Sequence, residues 1–133
     1  MVKITKESGS TVVEAVEHTL STTFGIQANT TVTKGYIVSQ NSDGNIAHSA
    51  ENDSIGTVVG VCDATETEGS AAGVKSNPVI NHGLVWAMAG VGAIVKSNPL
   101  KVSTSVGTLS AATYGVDRED RIIGTAWSAS TSG

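Results

Sequence analysis

One hundred and thirty-three residues make one domain, long enough to bury a core without disulfides or metals. With 15 % charged and 4 % aromatic residues, 15 glycines, and Val, Ile and Thr spread among turn formers, the composition excludes a helical bundle and points to an all-β protein. A net charge of −4, eight scattered basic residues and one cysteine exclude a phosphate-binding face and a disulfide or zinc framework, so no nucleic acid is expected as partner.

The first thirty residues differ from the rest. TVVEAVEHTLSTTFGIQANTT is polar and β-branched, with no strong turn signal before Gly25. Val12, Val13, Val16 and Leu20 offer a short helical stripe, yet valine and threonine are poor helix formers, so arm, edge strand and short helix all stay open. The chain divides into an N-terminal arm or edge segment, 1–30, and a β domain, 31–133. Its start has no signal-peptide core, and no apolar run reaches the roughly eighteen residues of a membrane span, so it reads as soluble, with no membrane partner and synthesis in a reducing cytoplasm.

From Lys34 the pattern sharpens. GYIVSQNSDGNIAHS reads as strand, turn, strand, with Ser42-Asp43-Gly44-Asn45 as the turn. The acidic loop AENDS follows, then IGTVVGVCDAT, a continuous apolar run suited to a strand buried on both faces. ETEGSA leads into the first of two KSNP tetrapeptides, which hold both prolines of the chain. VINHGLVWAMAGVGAIVKS comes next, its glycines at 83, 90 and 92 suggesting bulges or bends in a curved sheet. After the second KSNP the chain echoes itself. YIVSQNSDGNIAHS (36–49) and LKVSTSVGTLSAAT (100–113) each run into an acidic loop, AENDS or VDRED, and return through Ile-Gly-Thr at 55–57 and 123–125. Two copies of one hairpin unit can build a small β-barrel or sandwich. Both KSNP segments read as punctuation: Ser and Asn bond the turn backbone, and proline opens the next strand.

The chemistry-bearing residues do not assemble into a site. AGVGAIVKS lacks the Gly-Lys step and the helix of a phosphate loop. His18, His48 and His82 lack metal-ligand spacing, and Cys62 sits inside an apolar strand where a thiol is inert. The loop carboxylates Glu66, Glu68, Asp117, Glu119 and Asp120 match no calcium loop and read as solvated charge. Trp86 and Trp127 read as packing in or beside the core, the alternative being an exposed sugar-stacking ring. No catalytic residue, cofactor or metal is expected, and the chain reads as no enzyme.

KGYIV (34–38), SDGNIA (42–47), SIGTVVGV (54–61), HGLVWAMA (82–89), GAIVKSNPLKVS (92–103), VGTLS (106–110) and IIGTAWS (122–128) together resemble the small capsid decoration, or cement, proteins of tailed bacteriophages. The resemblance covers the chain from Lys34 onward. It departs where Ser97-Asn98-Pro99 stands in place of a Gly-Asp turn, and over the first thirty residues. It implies a compact, β-tulip-like domain, a homotrimer, bound to the major capsid protein on the exterior of the virion. There it would clamp shell subunits against internal pressure. An arm of β-branched residues can add a strand to a neighbour's sheet edge. On that reading Val12, Val13, Val16, Leu20 and Phe24 are the partner-binding anchors, and removal of residues 1–25 leaves a folded domain that no longer binds shells. The alternative is a phage fibre, baseplate or adhesion module that recognises carbohydrate through Trp86 or Trp127.

Overall fold

The computed structural model describes residues 2–5, 14–17, 20–51 and 53–130; Val12, Val13 and His18 lie outside them. In chain order the strands are β1 (Val2–Thr5), β2 (Glu14–Glu17), β3 (Leu20–Gly25), β4 (Thr31–Val32), β5 (Ile37–Gln40), β6 (Ile46–His48), β7 (Val58–Cys62), β8 (Glu66–Thr67), β9 (Ser76–His82), β10 (Pro99–Val102), β11 (Leu109–Ala111) and β12 (Gly124–Thr125). One 3₁₀ turn, Glu119–Arg121, is the helical content of the described residues. The protein is all-β.

Every ladder between these strands is antiparallel. β1 pairs with β2, and β4 with β8. The main sheet runs β3-β9-β7-β5-β6, and a three-stranded sheet runs β11-β10-β12. None of the sheets closes into a barrel. The central strand β7, Val-Val-Gly-Val-Cys, is the apolar run expected to be buried on both faces. Period-two alternation explains how it serves two cores. Cys62, Val38 and Val79 turn to a first cluster with Ile26, Val32 and Ile46. Val61 and Ile37 turn to a second with Ile94, Val102, Leu109 and Ala126. Strand β3, from the segment set apart as an arm, pairs with β9 along its length and leads to Ile26, which is fully buried.

The β5–β6 hairpin closes as expected. The Asn41 carboxamide oxygen accepts the N–H groups of Asp43 and Asn45, an Asx-type turn that holds the Asp-Gly corner. Further on, the two KSNP segments part company. In the second, Ser97 turns the chain at φ +74, Asn98 Oδ1 accepts the Val95 N–H, and Pro99 opens β10, which is punctuation as expected. The first corrects the expectation. Ser76, Asn77 and Pro78 are already strand β9, with Asn77 fully buried and its amide nitrogen donating to the Ala64 carbonyl.

The hydrogen bonds repeat too, in a register that corrects the sequence echo: Ile37 and Val38 match Pro99 and Leu100, and Ile123-Gly124-Thr125 is matched by Val59-Gly60-Val61, whereas Ile55-Gly56-Thr57 lies in the turn before β7. In the first unit Gln27 N–H donates to Ile46 O, Gly35 N–H to Cys62 O, Cys62 N–H to Tyr36 O, Tyr36 N–H to Thr33 O and Ser49 N–H to Ile37 O. In the second, Gly90 donates to Leu109, Ser97 to Ala126, Ala126 to Asn98, Asn98 to Val95 and Ala112 to Pro99, in the same order. The parallel bridge Ile26↔Ile46 has its counterpart in Ala89↔Leu109, and the pair Val32↔Glu66 in Ile94↔Ser130. Gly35 and Ser97 occupy the same corner, at φ +85 and +74. Both acidic loops are held alike: Asp53 Oδ2 accepts Ala50 N–H, and Asp117 Oδ2 accepts Thr113 N–H. The domain is therefore two copies of one β unit. They are joined through β9 and share a seam where Gly107 takes the Ile37 N–H and donates to Ser49.

Candidate interaction surface

Between β9 and Gly90 the side chains from Leu84 to Ala89 alternate out and in. Val85, Ala87 and Ala89 pack against the second core cluster. The opposite phase puts Leu84, Trp86 and Met88 on the surface, Trp86 with 84 % of its area exposed. Trp127, just past β12, is 71 % exposed. This corrects the sequence expectation that both tryptophans pack in or beside the core: the inward positions beside Trp86 hold Val85 and Ala87, and Ala126 beside Trp127 is buried.

Trp86 and Trp127 line a groove of about 680 Å³. Its floor is Ile94, Leu100, Leu109 and Ala126, its walls the segments 84–89 and 125–130. A second cleft of about 540 Å³ continues from Trp127 past Leu84 and Val85 to Asn81, His82 and the outer face of β7. No charged residue occurs in 84–95 or 122–130. An apolar, uncharged face of this kind on a water-exposed surface marks an interaction site. The sequence signal that could have found it is the pairing of two charge-free runs, each holding one tryptophan.

The residues singled out from the sequence are placed differently. Leu20 and Phe24 stand at opposite ends of β3: Leu20 is exposed, whereas Phe24 packs against the first cluster. Val16 lies in β2, opposite Lys3 in the backbone register. His48 stacks on Tyr36 with ring centroids 4.8 Å apart, and its Nε2 accepts the Thr33 N–H at 2.9 Å. The imidazole therefore serves the fold as a neutral acceptor, and burial holds its pKa below the ordinary value. Cys62 is buried, and burial pushes its thiol up to about 12, far from a reactive thiolate. His82, at the end of β9, is exposed.

Glu68 corrects the expectation that the loop carboxylates are solvated charge, and Glu66, Asp117 and Asp120 are ion-paired. Glu68 is buried and accepts the N–H groups of Gly69 and Lys75, at 2.8 and 2.6 Å, where the chain enters β9. A hydrogen bond from Lys101, and then the Thr113 N–H, hold the Asp117 carboxyl below its usual range. Lys75 does the same for Glu66. Among the described residues no three of His, Cys, Asp and Glu converge on a point that could hold a metal ion. No helix among them is long and apolar enough to cross a membrane.

Compared with known protein families, curated proteins and solved structures, the chain matches none.

Proposed function

We propose that this is a non-enzymatic virion structural protein that binds the major capsid protein on the outside of a tailed-phage head and stabilises the mature shell. The observation that carries the reading is the uncharged groove flanked by Trp86 and Trp127. A clamp on the outside of a shell needs an apolar binding face on a rigid β scaffold, and the groove supplies the kind of surface from which protein–protein contacts draw their energy. The resemblance from Lys34 onward supports the same reading, and carries with it the homotrimer. The N-terminal segment, with Val12, Val13, Val16 and Leu20, is the second contact. Because β3 belongs to the main sheet, the informative truncation removes residues 1–19 and keeps Leu20–Gly25.

Co-sedimentation with mature and immature heads of the encoding phage tests the proposal. Saturable binding to mature heads, at a copy number set by the shell's symmetry positions, is the expected result. Absence of binding to either form rejects it.

A second reading has one observation in its favour. Two exposed tryptophans above a groove that also holds Thr125 and Ser128 would suit carbohydrate stacking in a fibre, baseplate or adhesion module. Sugar titrations followed by indole fluorescence test it directly.

A further inference from the structure

The groove has a counterpart in the first unit, and there it is filled. Strand β9 lies between β3 and β7, paired antiparallel with both. It turns Val79, fully buried, into the cluster of Ile26, Val32, Val38, Ile46 and Cys62. The hydrogen-bond correspondence maps those five residues onto Ala89, Ile94, Leu100, Leu109 and Ala126 of the second unit. All five line the groove. Among the described residues nothing stands where Val79 would be.

The backbone tells the same story. Segment 84–87 occupies the place of β3, and no backbone hydrogen bond holds Leu84, Val85, Trp86 or Ala87 among the described residues. On the other wall, the Asp63 N–H donates to Pro78 of β9, whereas the equivalent Trp127 N–H has no partner among them. Gly60 and Gly124 are equivalent, facing Val38 and Leu100. A Cβ on Gly60 would run into the Ile80 carbonyl of β9; at Gly124 nothing lies within 4 Å. A wall of unpaired amides at 84–87, the unpaired Trp127 amide opposite it, an apolar floor and a glycine at the point of closest approach define the place of a further strand.

We propose that this slot accepts one extended strand from a partner protein, antiparallel to both walls, with a valine-sized aliphatic side chain turned onto the floor. Main-chain hydrogen bonds to segments 84–87 and 124–129 supply the affinity, and the floor selects the inward residue. The walls carry no charge, so the accepted stretch is itself uncharged: a buried lysine or carboxylate would find no counter-ion there. In the first unit Ser76–His82 gives the template, an uncharged run but for its terminal histidine, with Asn77 and Val79 turned inward. The slot stands on the internal hydrogen-bond comparison and not on shell binding, so the tests of the two proposals fail separately.

The test uses the intact chain and two tryptophan-free peptides, one with the sequence of residues 76–82 and one of alternating valine and serine. Both tryptophans of the chain line the slot, so indole emission reports occupancy directly. The expected result is a saturable blue shift with at least one peptide, with slowed amide exchange at 84–87 and 124–129. Gly124→Val places a side chain in the strand's path, where the free chain has open space. That substitution and backbone N-methylation of the peptide should each weaken binding about tenfold or more, the cost of one or two lost main-chain bonds. Failure of both peptides to bind overturns the proposal, as does binding that Gly124→Val leaves unchanged. Concentration-dependent self-association that buries the tryptophans and is lost in Gly124→Val would also overturn it, by making a second copy the occupant.

Discussion

Replacing Gly60 with alanine places a methyl group between β7 and β9. The residue sits at φ +148, a region open almost only to glycine, so an L side chain there costs about 1–3 kcal/mol before any contact is counted. The new Cβ would lie 2.8 Å from Val79 Cγ1 and 2.9 Å from the Ile80 carbonyl carbon, with the carbonyl oxygen closer still. Carbon atoms pack at about 3.5–4 Å, so β9 has to retreat by roughly 1 Å. That strains the ladder where Val61 faces Ile80 and Cys62 faces Val79. Two weakened hydrogen bonds add about 2 kcal/mol, for a total of roughly 3–5 kcal/mol. Gly124→Ala is the control at the equivalent pairing position, with no positive φ and nothing within 4 Å of the Cβ. It should be neutral or stabilise by about 0.4–1 kcal/mol through the unfolded chain. Urea unfolding followed by circular dichroism reads both. With a slope of roughly 1–3 kcal/mol per molar, the Gly60→Ala midpoint should fall by about 2 M while that of Gly124→Ala holds or rises. Equal shifts in the two variants would refute the claim that one site is filled by a strand and the other is open.

The remaining predictions concern polar groups that are buried or partly buried. Burial lowers the native pKa of His48 below 6.5, so the unfolded chain takes up the proton first. Stability is full above about pH 6.5, declines as pH falls toward the lowered native value, and levels off beneath it; a urea midpoint unchanged between about pH 7.5 and 5.5 would contradict this. With its thiol pushed up to about 12, Cys62 should stay unreactive to a disulfide reagent at neutral pH until the chain unfolds, and rapid labelling of the native state would contradict its burial. Glu68→Ala leaves the Gly69 and Lys75 N–H groups without their charged acceptor and should lower stability by about 2–4 kcal/mol in urea unfolding, with Glu68→Gln milder; no change would refute its role in starting β9.

Some of this architecture is written in local signals. The Ser42–Asn45 corner, the doubly buried β7 and the repeated hairpin can each be read from turn residues and apolar patterning, because neighbours in sequence decide them. KSNP shows where that reading ends. The same tetrapeptide is strand in one copy, where Glu68 holds Lys75 N–H and Ala64 receives the Asn77 amide. It is a turn in the other, where Asn98 closes onto Val95. Distant partners choose between the two states. The tryptophans were misplaced for a related reason: Leu84-Val85-Trp86-Ala87-Met88 is apolar in both phases, so alternation does not say which faces inward. The charge-free runs point to the groove, but nothing in the sequence marks it as a strand position. It becomes visible only when the hydrogen bonds of the two units are compared and one partner is missing.

The most direct measurement is co-sedimentation of the wild-type chain and a Trp86→Ser/Trp127→Ser double variant with mature heads of the phage that the proposed function calls for. Both side chains are largely exposed, so the variant should keep the wild-type stability in urea unfolding to within about 0.5 kcal/mol. The account predicts saturable binding of the wild type and loss of most of it in the variant. Heads that bind neither protein, or that bind both alike, would contradict a shell-binding role for this groove.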